Sequence, residues 1–570
     1  MAFQISPGVN VSEIDLTTIV PAVGTTEGAF AGHFVWGPMN VVVSIGNEVE
    51  LVNTFGKPDA NTFRSFFTAA NFLSYARNLR VVRAGSNTTA KNATSNGSGL
   101  LIQNRTDYEN QYLDLSAANT YGMFAARYPG ELGNSIRVEL WASPNTAAYS
   151  SWTYAEEFNN CPGTSTYVSN VAGANDEMHI IVLDEDGKFS GVSNTILEKF
   201  AYISKASDAV NDDGSSNYYV NVINDRSKYI YVLDKAQRSA NGYSETTTWG
   251  TPASGTAYTQ ISNVYRDSLS NGTMPEPTDA DLMVAYDKFS NAEEIDISLV
   301  LTGAANNNVS EYVLDNIVTT RKDCVLFVSP PFEDVVNNAG NEVTDLITYR
   351  NLFNSSSYAV MDNNWKKQFD KYNNVYRWVP LNGDIAGLCV RTDFERDPWY
   401  SPAGFNRGQI KNVVNLAWNA TKGNRDDLYR NGINPVVSFP GEGVVLYGDK
   451  TMLAKPSAFD RINVRRLFIV LEKAIARAAK YSLFEFNDEF TRAQFVALVE
   501  PFLRDVQGRR GIYDFRVVCD TTNNTPEVID RNEFIGDIYI KPARSINFIQ
   551  LNFVAVRTGV AFEEVVGKFG

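Results

Sequence analysis

The pattern of apolar and polar positions predicts two long helices near the end of the chain. Apolar residues recur at steps of three and four over Val464–Lys480, which is typical of an amphipathic helix. A second helix is expected over Thr491–Val506, with Pro501 bending it. A third is expected at Asp279–Phe289, because Thr278 can cap its first turn.

Short apolar or alternating runs predict strands between these helices. Candidates in the first half of the chain are Phe30–Trp36, Leu79–Arg83, Met178–Leu183 and Tyr218–Leu233. Candidates in the second half are Asp296–Leu301, Cys324–Val328, Tyr513–Val518, Ile535–Ile540 and Ile546–Val556. Strands that alternate with helices, including an apolar helix at Thr62–Arg77, predict an α/β layer in the main body.

Both ends of the chain are predicted to be strands. The residues expected on their apolar faces are Val9, Val11 and Ile14 at one end, and Ile549, Leu551 and Phe553 at the other. A terminal strand with so little around it is not stable alone. We therefore expect each end to add to the edge of a sheet in a neighbouring copy of the chain.

The segment 84–277 differs from the rest of the chain in composition. It begins with a stretch rich in Asn, Ser, Thr and Gly, which is typical of exposed loops. Turn signals at Asp186-Gly187, Asp213-Gly214 and Asn241-Gly242 punctuate its strand candidates. We interpret it as a β-rich peripheral module inserted into the main body.

Composition narrows the classes of function. The 570 residues predict several domains, because domains commonly hold about 100–150 residues. Lys and Arg number 50 against 65 Asp and Glu, and the net charge of -15 argues against direct nucleic-acid binding. No secretory signal is expected, and no apolar run reaches the length of about 18 residues that a membrane span needs. Membrane insertion is therefore not expected.

Candidate chemistry is sparse. The two histidines, His33 and His179, cannot form a multi-histidine metal site, and each is expected to be structural. The four cysteines are far apart and are expected to be reduced and buried. Acidic pairs such as Asp212-Asp213 are adjacent in sequence and are expected to point apart. We predict no catalytic, cofactor-binding or metal site and no cofactor.

A basic stripe on the first long helix is the one binding surface that the sequence suggests. Arg466, Lys473, Arg477 and Lys480 share one face of that helix, at steps of seven, four and three. In an acidic protein such a face can contact an acidic partner. The alternative is a solvated face, or ion pairs within the subunit.

Several long segments resemble one known family. They are SPGVNVSE from Ser6, GHFVWGP from Gly32, LRVVRA from Leu79, RWVPLNGDIAGLCVRTD from Arg377, PSAFDRINVRRLFIVLEKAI from Pro456, RVVCDTTNNTPEVIDRNEF from Arg516 and PARSINFIQLNFVA from Pro542. Together they are similar to the contractile tail sheath proteins of myophages, of the large multi-domain kind.

The resemblance implies a structural motor part that is not an enzyme. Sheath subunits of this family form stacked six-fold rings around a tail tube, in a metastable extended state. Contraction drives the tube through the host envelope. The implied partners are further copies of the chain, the tail tube protein, the baseplate and the tail terminator. The implied location is the virion tail, after assembly in the host cytoplasm.

The resemblance also implies a domain division and an inner position for both chain ends. The fold class expected is α+β and multi-domain, with an inner α/β domain formed by both ends, arm strands and inserted β-rich outer domains. The expected segments are 1–23 (N-terminal arm and part of the inner domain), 24–83 and 278–400 (middle domain), 84–277 (outer module) and 401–570 (inner domain with the C-terminal arm). The basic stripe would then face the tube.

Three alternatives stay open at this point. A tail tube or another ring-forming virion protein belongs to the same structural class, although tube subunits are typically much smaller. A carbohydrate-active virion enzyme would need paired carboxylates in a cleft. A sheath of the type VI secretion kind is usually divided between two chains, whereas this chain carries both parts.

Overall fold

The computed structural model describes residues 24–113, 121–233, 248–547 and 549–550. These residues form helices and several separate sheets, so the expected mixed α and β composition is confirmed. The division into inner domain, outer module and arm strands stays a prediction.

The strands are short, and most hold three to eight residues. In chain order they are β1 (Gly28–Gly32), β2 (Val42–Ile45), β3 (Leu79–Arg83), β4 (Phe124–Ala126), β5 (Ile136–Ala142), β6 (Glu177–Asp184), β7 (Thr195–Ser204), β8 (Ile230–Val232), β9 (Ile261–Ser268), β10 (Leu299–Leu301), β11 (Val325–Val328), β12 (Ala359–Asp362), β13 (Trp365–Asp370), β14 (Val375–Pro380), β15 (Asn415–Leu416), β16 (Ile433–Asn434), β17 (Val436–Phe439), β18 (Gly443–Leu446), β19 (Ile512–Val518) and β20 (Asp537–Pro542).

The helices are longest near the end of the chain. In chain order they are α1 (Glu48–Phe55), α2 (Phe63–Leu73), α3 (Arg105–Gln111), α4 (Thr146–Tyr149), α5 (Thr166–Asn170), α6 (Tyr219–Arg226), α7 (Asp279–Asp287), α8 (Asn307–Tyr312), α9 (Thr319–Arg321), α10 (Glu342–Arg350), α11 (Asn382–Glu395), α12 (Lys422–Arg430), α13 (Ile462–Ala479), α14 (Glu489–Gly508) and α15 (Pro526–Asp530). A π-helical turn, Val313–Val318, joins α8 to α9.

A seven-stranded sheet forms the main body, in the order β16-β12-β11-β10-β1-β3-β2. All neighbouring strands are parallel except β2, which runs antiparallel to β3 at one edge. The sheet joins residues before 84 to residues after 298, so the chain leaves this sheet and returns to it. Its last strand lies at Ile433–Asn434, beyond the boundary expected at 400.

Helices cover both faces of this sheet, which explains its uninterrupted apolar strands. In β10, Leu299 and Leu301 pack on one side with α2 and α11, while Val300 packs on the other with α7 and α8. The cap of α7 is as expected, because Thr278 accepts from the Asp281 amide and Asp281 accepts from the Thr278 amide.

The segment between β3 and β10 builds its own sheets. Strands β5, β6, β7 and β9 form an antiparallel sheet in the order β7-β6-β5-β9, and β4 pairs with β8. A separate apolar core fills this unit, with Val138, Ile180 and Ile223 among its members. The segment is therefore rich in strands, as its composition predicts.

One expected strand in this segment is wrong in part. Tyr218–Leu233 is divided into helix α6 and strand β8. The buried positions Tyr219, Val220, Val222 and Ile223 follow helical spacing, so period overrides the β propensity of these residue types.

The C-terminal unit consists of α13, α14 and the hairpin of β19 and β20. Leu467 and Leu471 of α13 pack against Phe495, Val499 and Leu503 of α14. Pro501 lies inside α14, as expected. Strands β19 and β20 pair antiparallel and cover α14 through the side chains that alternate inward. The hairpin has no third strand within the described residues.

The predicted arm strands are not tested by this structure. Val9, Val11, Ile14, Leu551 and Phe553 lie outside the described residues. The described part of the last predicted strand, residues 546–547 and 549–550, is not in a strand. A strand that needs a neighbouring copy as its partner has none in a single chain.

Candidate functional site

The cationic face of α13 lies against the main body of the subunit. Arg466 of α13 donates two hydrogen bonds to the Asp393 carboxylate, at 2.7 and 2.6 Å. Both side chains are only 4 % exposed. The same guanidinium donates to the carbonyl oxygens of Cys389 and Thr25, so it joins α13 to α11 and to the start of β1.

Lys473 is also bound within the subunit. Its Nζ lies 2.8 Å from an Asp296 carboxylate oxygen and 2.7 Å from the Ile297 carbonyl oxygen. Asp323 lies 3.8 Å away and adds a second carboxylate. One turn further along, Arg477 shares the Asp296 carboxylate at 3.3 Å. This carboxylate therefore holds two cations of the helix against the segment that leads into β10.

Of the four cations, only Arg477 and Lys480 lie at exposed positions. The expectation of one continuous exposed stripe is wrong, because Arg466 is buried and Lys473 is largely enclosed by its acidic partners. Lys480 follows the last residue of α13 and has no carboxylate within ion-pair distance among the described residues. The pairing within the subunit that the sequence left open accounts for the other three.

Sequence reasoning missed the acidic partners of this helix. Asp296, Asp323 and Asp393 lie between 73 and 181 positions from their partners in the chain, so no local spacing connects them with α13. It also missed Arg465, which is buried with its guanidinium 4.1 Å from the ring centroids of both Tyr358 and Phe459. The apolar residues beside it in the sequence were the available signal that this arginine is buried.

The chain leaving β20 is attached to the main body at one buried carboxylate. Asp449 accepts from Ser545 Oγ at 2.8 Å and from Asn547 Nδ2 at 3.2 Å. Asn547 also donates to the Tyr429 hydroxyl at 2.6 Å, and Tyr429 donates to Asp449 at 3.1 Å. Beyond this attachment Ile549 is 76 % exposed. The described chain that leads to the predicted C-terminal arm is therefore attached to the main body at Ser545 and Asn547.

The two histidines occupy structural positions, as expected. His179 stacks on Phe158, its Nε2 lies 2.8 Å from the Asn160 carbonyl oxygen, and its Nδ1 accepts from the Tyr202 amide. His33 lines a cleft of about 940 Å³, and burial together with Arg83 lowers its pKa to about 4. Neither ring has a hydrogen bond to a Ser or Cys side chain that could act as a nucleophile.

The chemistry available to the described residues is correspondingly limited. Cys324, Cys389 and Cys519 are buried free thiols, and Cys161 is partly exposed. Over the described ranges there is no group of three or more His, Cys, Asp or Glu side chains that could hold a metal ion. No described helix is long and apolar enough to span a membrane.

Three family descriptions match separate parts of the chain. The phage tail sheath protein central domain matches residues 275–452, and the phage tail sheath C-terminal domain matches residues 454–555. The N-terminal region of tail sheath protein Gp18 domain III matches residues 29–84. The regions matched by the first and third descriptions together contain all seven strands of the main sheet, except for Gly28 at the start of β1.

Solved structures share this fold at low sequence identity. The sheath tail protein from Listeria innocua is 12 % identical, with a TM-score of 0.52 over 92 % of this chain and 97 % of that one. The anti-feeding prophage helical sheath in the contracted state is also 12 % identical, with a TM-score of 0.50 over 97 % of this chain and 99 % of that one.

The tail sheath proteins of two phages are similar to this chain over nearly its whole length. The tail sheath protein of Vibrio phage KVP40 is 36 % identical over 99 % of this chain and 100 % of its own. That of Enterobacteria phage T4 is 34 % identical over the same shares. The first alignment spans 677 positions, more than the 570 residues present here, so that relative contains insertions that this chain lacks. The chain belongs to the tail sheath proteins of contractile phage tails.

Proposed function

We propose that this chain polymerises as stacked hexameric rings around a tail tube and contracts from a metastable extended state. Contraction drives the tube through the host envelope. The subunit is a structural protein of the virion tail, assembled in the host cytoplasm, and its work comes from repacking rather than from catalysis. Membership of the tail sheath family supports the role as a sheath subunit. The hexameric rings, the metastable extended state and the tube are what we propose beyond it.

The observation that carries the proposal is the open hairpin beside a departing chain end. Strands β19 and β20 form a two-stranded sheet among the described residues, and the chain runs on from it past Ile546 and Ile549, both strongly exposed. Open strand edges accept a further strand from another chain. We infer that the two arms, about Phe3 to Val20 and Asn547 to Gly570, extend such a sheet in neighbouring copies.

The strength of this link suits a polymer that must change shape without dissociating. A strand that makes about five main-chain hydrogen bonds gains several kcal/mol, since each contributes about 1 kcal/mol net. We infer that the arm absorbs reorientation beyond its attachment at Asp449. Two packings of the subunits that differ by a few kcal/mol per copy then release on the order of hundreds of kcal/mol over about a hundred copies.

The proposed partners are further copies of the chain, the tube, the baseplate and the tail terminator. We propose that the cationic end of α13 contacts the tube through Arg477 and Lys480, which lie at exposed positions. Exposed ion pairs are weak, at about 0–1 kcal/mol each, and such a contact can release when the sheath contracts.

The tube contact is tested by charge reversal at the exposed end of α13. Lys480→Glu combined with Arg477→Gln should reduce assembly on an acidic tube while the free subunit stays folded, because the glutamine gives up one exposed ion pair with Asp296 without opposing that carboxylate. Lys473→Glu serves as the comparison, because it should destabilise the subunit itself by opposing Asp296 and Asp323. Normal tube-bound sheaths from the Lys480/Arg477 double variant would remove this contact from the proposal.

The arm proposal is tested by truncation. Removing residues 1–23, residues 551–570 or both deletes only residues outside the described ranges, and each product should be compared with the full chain by electron microscopy. We expect the full chain to form ridged hollow cylinders and the doubly truncated chain to remain as single subunits or small oligomers. Cylinders that form and shorten intact without either end would contradict the arm mechanism.

A further inference from the structure

The segment between α13 and α14 presents an unusual apolar surface. This segment, residues 481–490, is called here the aromatic segment. Its large apolar side chains are each at least 61 % exposed, and they are Tyr481, Leu483, Phe484, Phe486 and Phe490. Scattered apolar residues on a surface need no explanation, but five within ten positions indicate an interaction site.

The aromatic segment is held in place at its ends. A 3-10 turn, Lys480–Ser482, begins it, and Asp488 caps α14 by accepting from the Thr491 amide at 2.8 Å. Between them, Asn487 Nδ2 donates to the Glu533 carbonyl oxygen at 2.8 Å. These contacts present the apolar side chains to solvent rather than leaving them free to fold onto the subunit.

Phe484 carries the clearest sign of a missing partner. Its φ angle is +70°, a backbone conformation that costs free energy for any residue with a Cβ. Its ring is fully exposed, so no packing against the described residues offsets that cost. Backbone strain of this kind is found where a functional contact requires it.

The charge of the aromatic segment narrows the choice of partner. Glu485, Asp488 and Glu489 lie among its apolar residues, so the surface is both apolar and acidic. A complementary surface therefore combines apolar or aromatic side chains with cations.

The exposed side of the β19–β20 hairpin combines two aromatic side chains with Arg516, on a face that also carries Asp514 and Asp537. Tyr513 and Tyr539 are 66 % and 60 % exposed, and Arg516 lies directly opposite Tyr539 in the strand register. Arg516 has no carboxylate within ion-pair distance among the described residues, whereas Lys541 pairs with Asp514 at 3.1 Å. We call the side chains of Tyr513, Arg516 and Tyr539 the hairpin face.

We propose that the aromatic segment of one copy docks on the hairpin face of the next copy. The two surfaces differ, so the contact is heterologous, and repeated contacts of that kind produce rings or an open helix. The contact uses the face of the hairpin, whereas the arms would use its edges, so both can form together. This inference rests on the proposed self-assembly and names a second surface for it.

Charge exchange between the two surfaces tests the proposal. Glu485→Lys with Glu489→Lys reverses the aromatic segment without touching the cap at Asp488, and Arg516→Glu reverses the hairpin face. We expect each change alone to raise the protein concentration needed for assembly by about tenfold or more, as loss of a central interface contact does. The two changes in one chain should restore much of the assembly, as measured by sedimentation and electron microscopy.

A second variant separates assembly from folding. Phe484→Gly removes the ring and relieves the positive φ angle, so the thermal midpoint of the free subunit should stay level or rise while assembly falls. Phe394→Ser, at another exposed aromatic residue on α11, serves as the control and should assemble normally.

The outcomes are distinct. Normal cylinders from both charge variants and from Phe484→Gly would overturn the docking contact and leave the proposed function standing. If the single variants polymerise alone but do not assemble when the tube is present, the aromatic segment contacts the tube instead of another copy. That result would also overturn the inference. A full-length chain that forms no cylinders at all would contradict the proposed function itself.

Discussion

At the scale of single residues, buried charges connect the C-terminal unit to the main body. Arg466 and Asp393 form a buried charge pair between α13 and α11, and Asp296 holds Lys473 just before strand β10. Such pairs are costly to break singly, because the remaining charge stays buried without a partner. They fix how α13 sits on the sheet.

Arg466→Met should lower the free energy of unfolding by about 3–5 kcal/mol, since it leaves the Asp393 carboxylate buried and unpaired. The double variant Arg466→Met/Asp393→Leu removes both charges and should regain most of that loss. Urea unfolding of the free subunit measures both. Arg504→Met, in an exposed pair with Glu500, is the control and should cost about 1 kcal/mol or less. An equal cost for Arg466→Met and Arg504→Met would contradict the importance of burial.

Asp362 predicts a pH dependence of stability. Burial raises the pKa of this carboxyl to about 7, against the hydrogen bonds from Ser329 and the Asn364 amide. The folded state then binds more protons than the unfolded state between about pH 4 and 7, so Asp362 makes stability fall as pH rises through that window. Above the window the loss is complete.

Asp362→Asn should remove this loss. Relative to wild type, its free energy of unfolding should rise with pH from about 4.5 to 7.5, by a few kcal/mol at most, since one pKa unit corresponds to about 1.4 kcal/mol. Asp213→Asn, at an exposed turn, is the control, and its free energy of unfolding should change with pH in the same way as that of wild type. Parallel curves for Asp362→Asn and wild type would show that Asp362 is ionised in the folded state throughout.

At the scale of elements, helix α11 approaches α2 so closely that glycine is required between them. A Cβ at Gly383 would lie 2.4 Å from the Thr68 carbonyl oxygen, and one at Gly387 would lie 2.5 Å from the Tyr75 ring. The two helices cover one face of the seven-stranded sheet, so their spacing sets the thickness of that layer.

Gly383→Ala should destabilise the subunit by about 1–3 kcal/mol or more, because the added methyl group meets backbone that cannot move aside. Gly423→Ala in α12 is the matched control, since nothing lies within 4 Å of that position. It should be neutral or stabilising by up to about 1 kcal/mol, as alanine favours a helix over glycine. Thermal unfolding compares the two, and a smaller loss for Gly383→Ala than for Gly423→Ala would be inconsistent with the close approach.

The elements that sequence reasoning located well are those with strong local signals. Strand β3 begins and ends at the expected residues, and the Thr278 cap places the start of α7. The division of Tyr218–Leu233 was missed because tyrosine, valine and isoleucine favour strands even where their spacing is helical. The environment of α13 could not be predicted, because its acidic partners come from distant parts of the chain.

At the scale of the whole molecule, the central sheet with its covering helices forms a stiff body. Helices cover both faces of the central sheet, and close-packed cores of this kind move as units rather than deforming continuously. The attachment at Asp449 holds the described chain on this body up to residue 547. Shape change in a polymer of such subunits is therefore expected at the ends and between subunits.

Extended and contracted sheaths of this chain should differ mainly in the orientation of subunits. Superposition of the main body from the two states should leave only differences of loop size within residues 24–83 and 278–547, while the path of the chain beyond 547 changes. Cryo-electron microscopy of both states measures this. Rearranged strands within the seven-stranded sheet would contradict a rigid-body mechanism.

The most direct test of the account is a cryo-electron microscopy reconstruction of the polymer formed by the full chain. We expect a six-fold hollow cylinder in which strands from the ends of two neighbouring copies extend the β19–β20 hairpin of a third into one shared sheet. A cylinder in which each chain end folds back onto its own subunit, with no strand exchanged, would contradict the central claim.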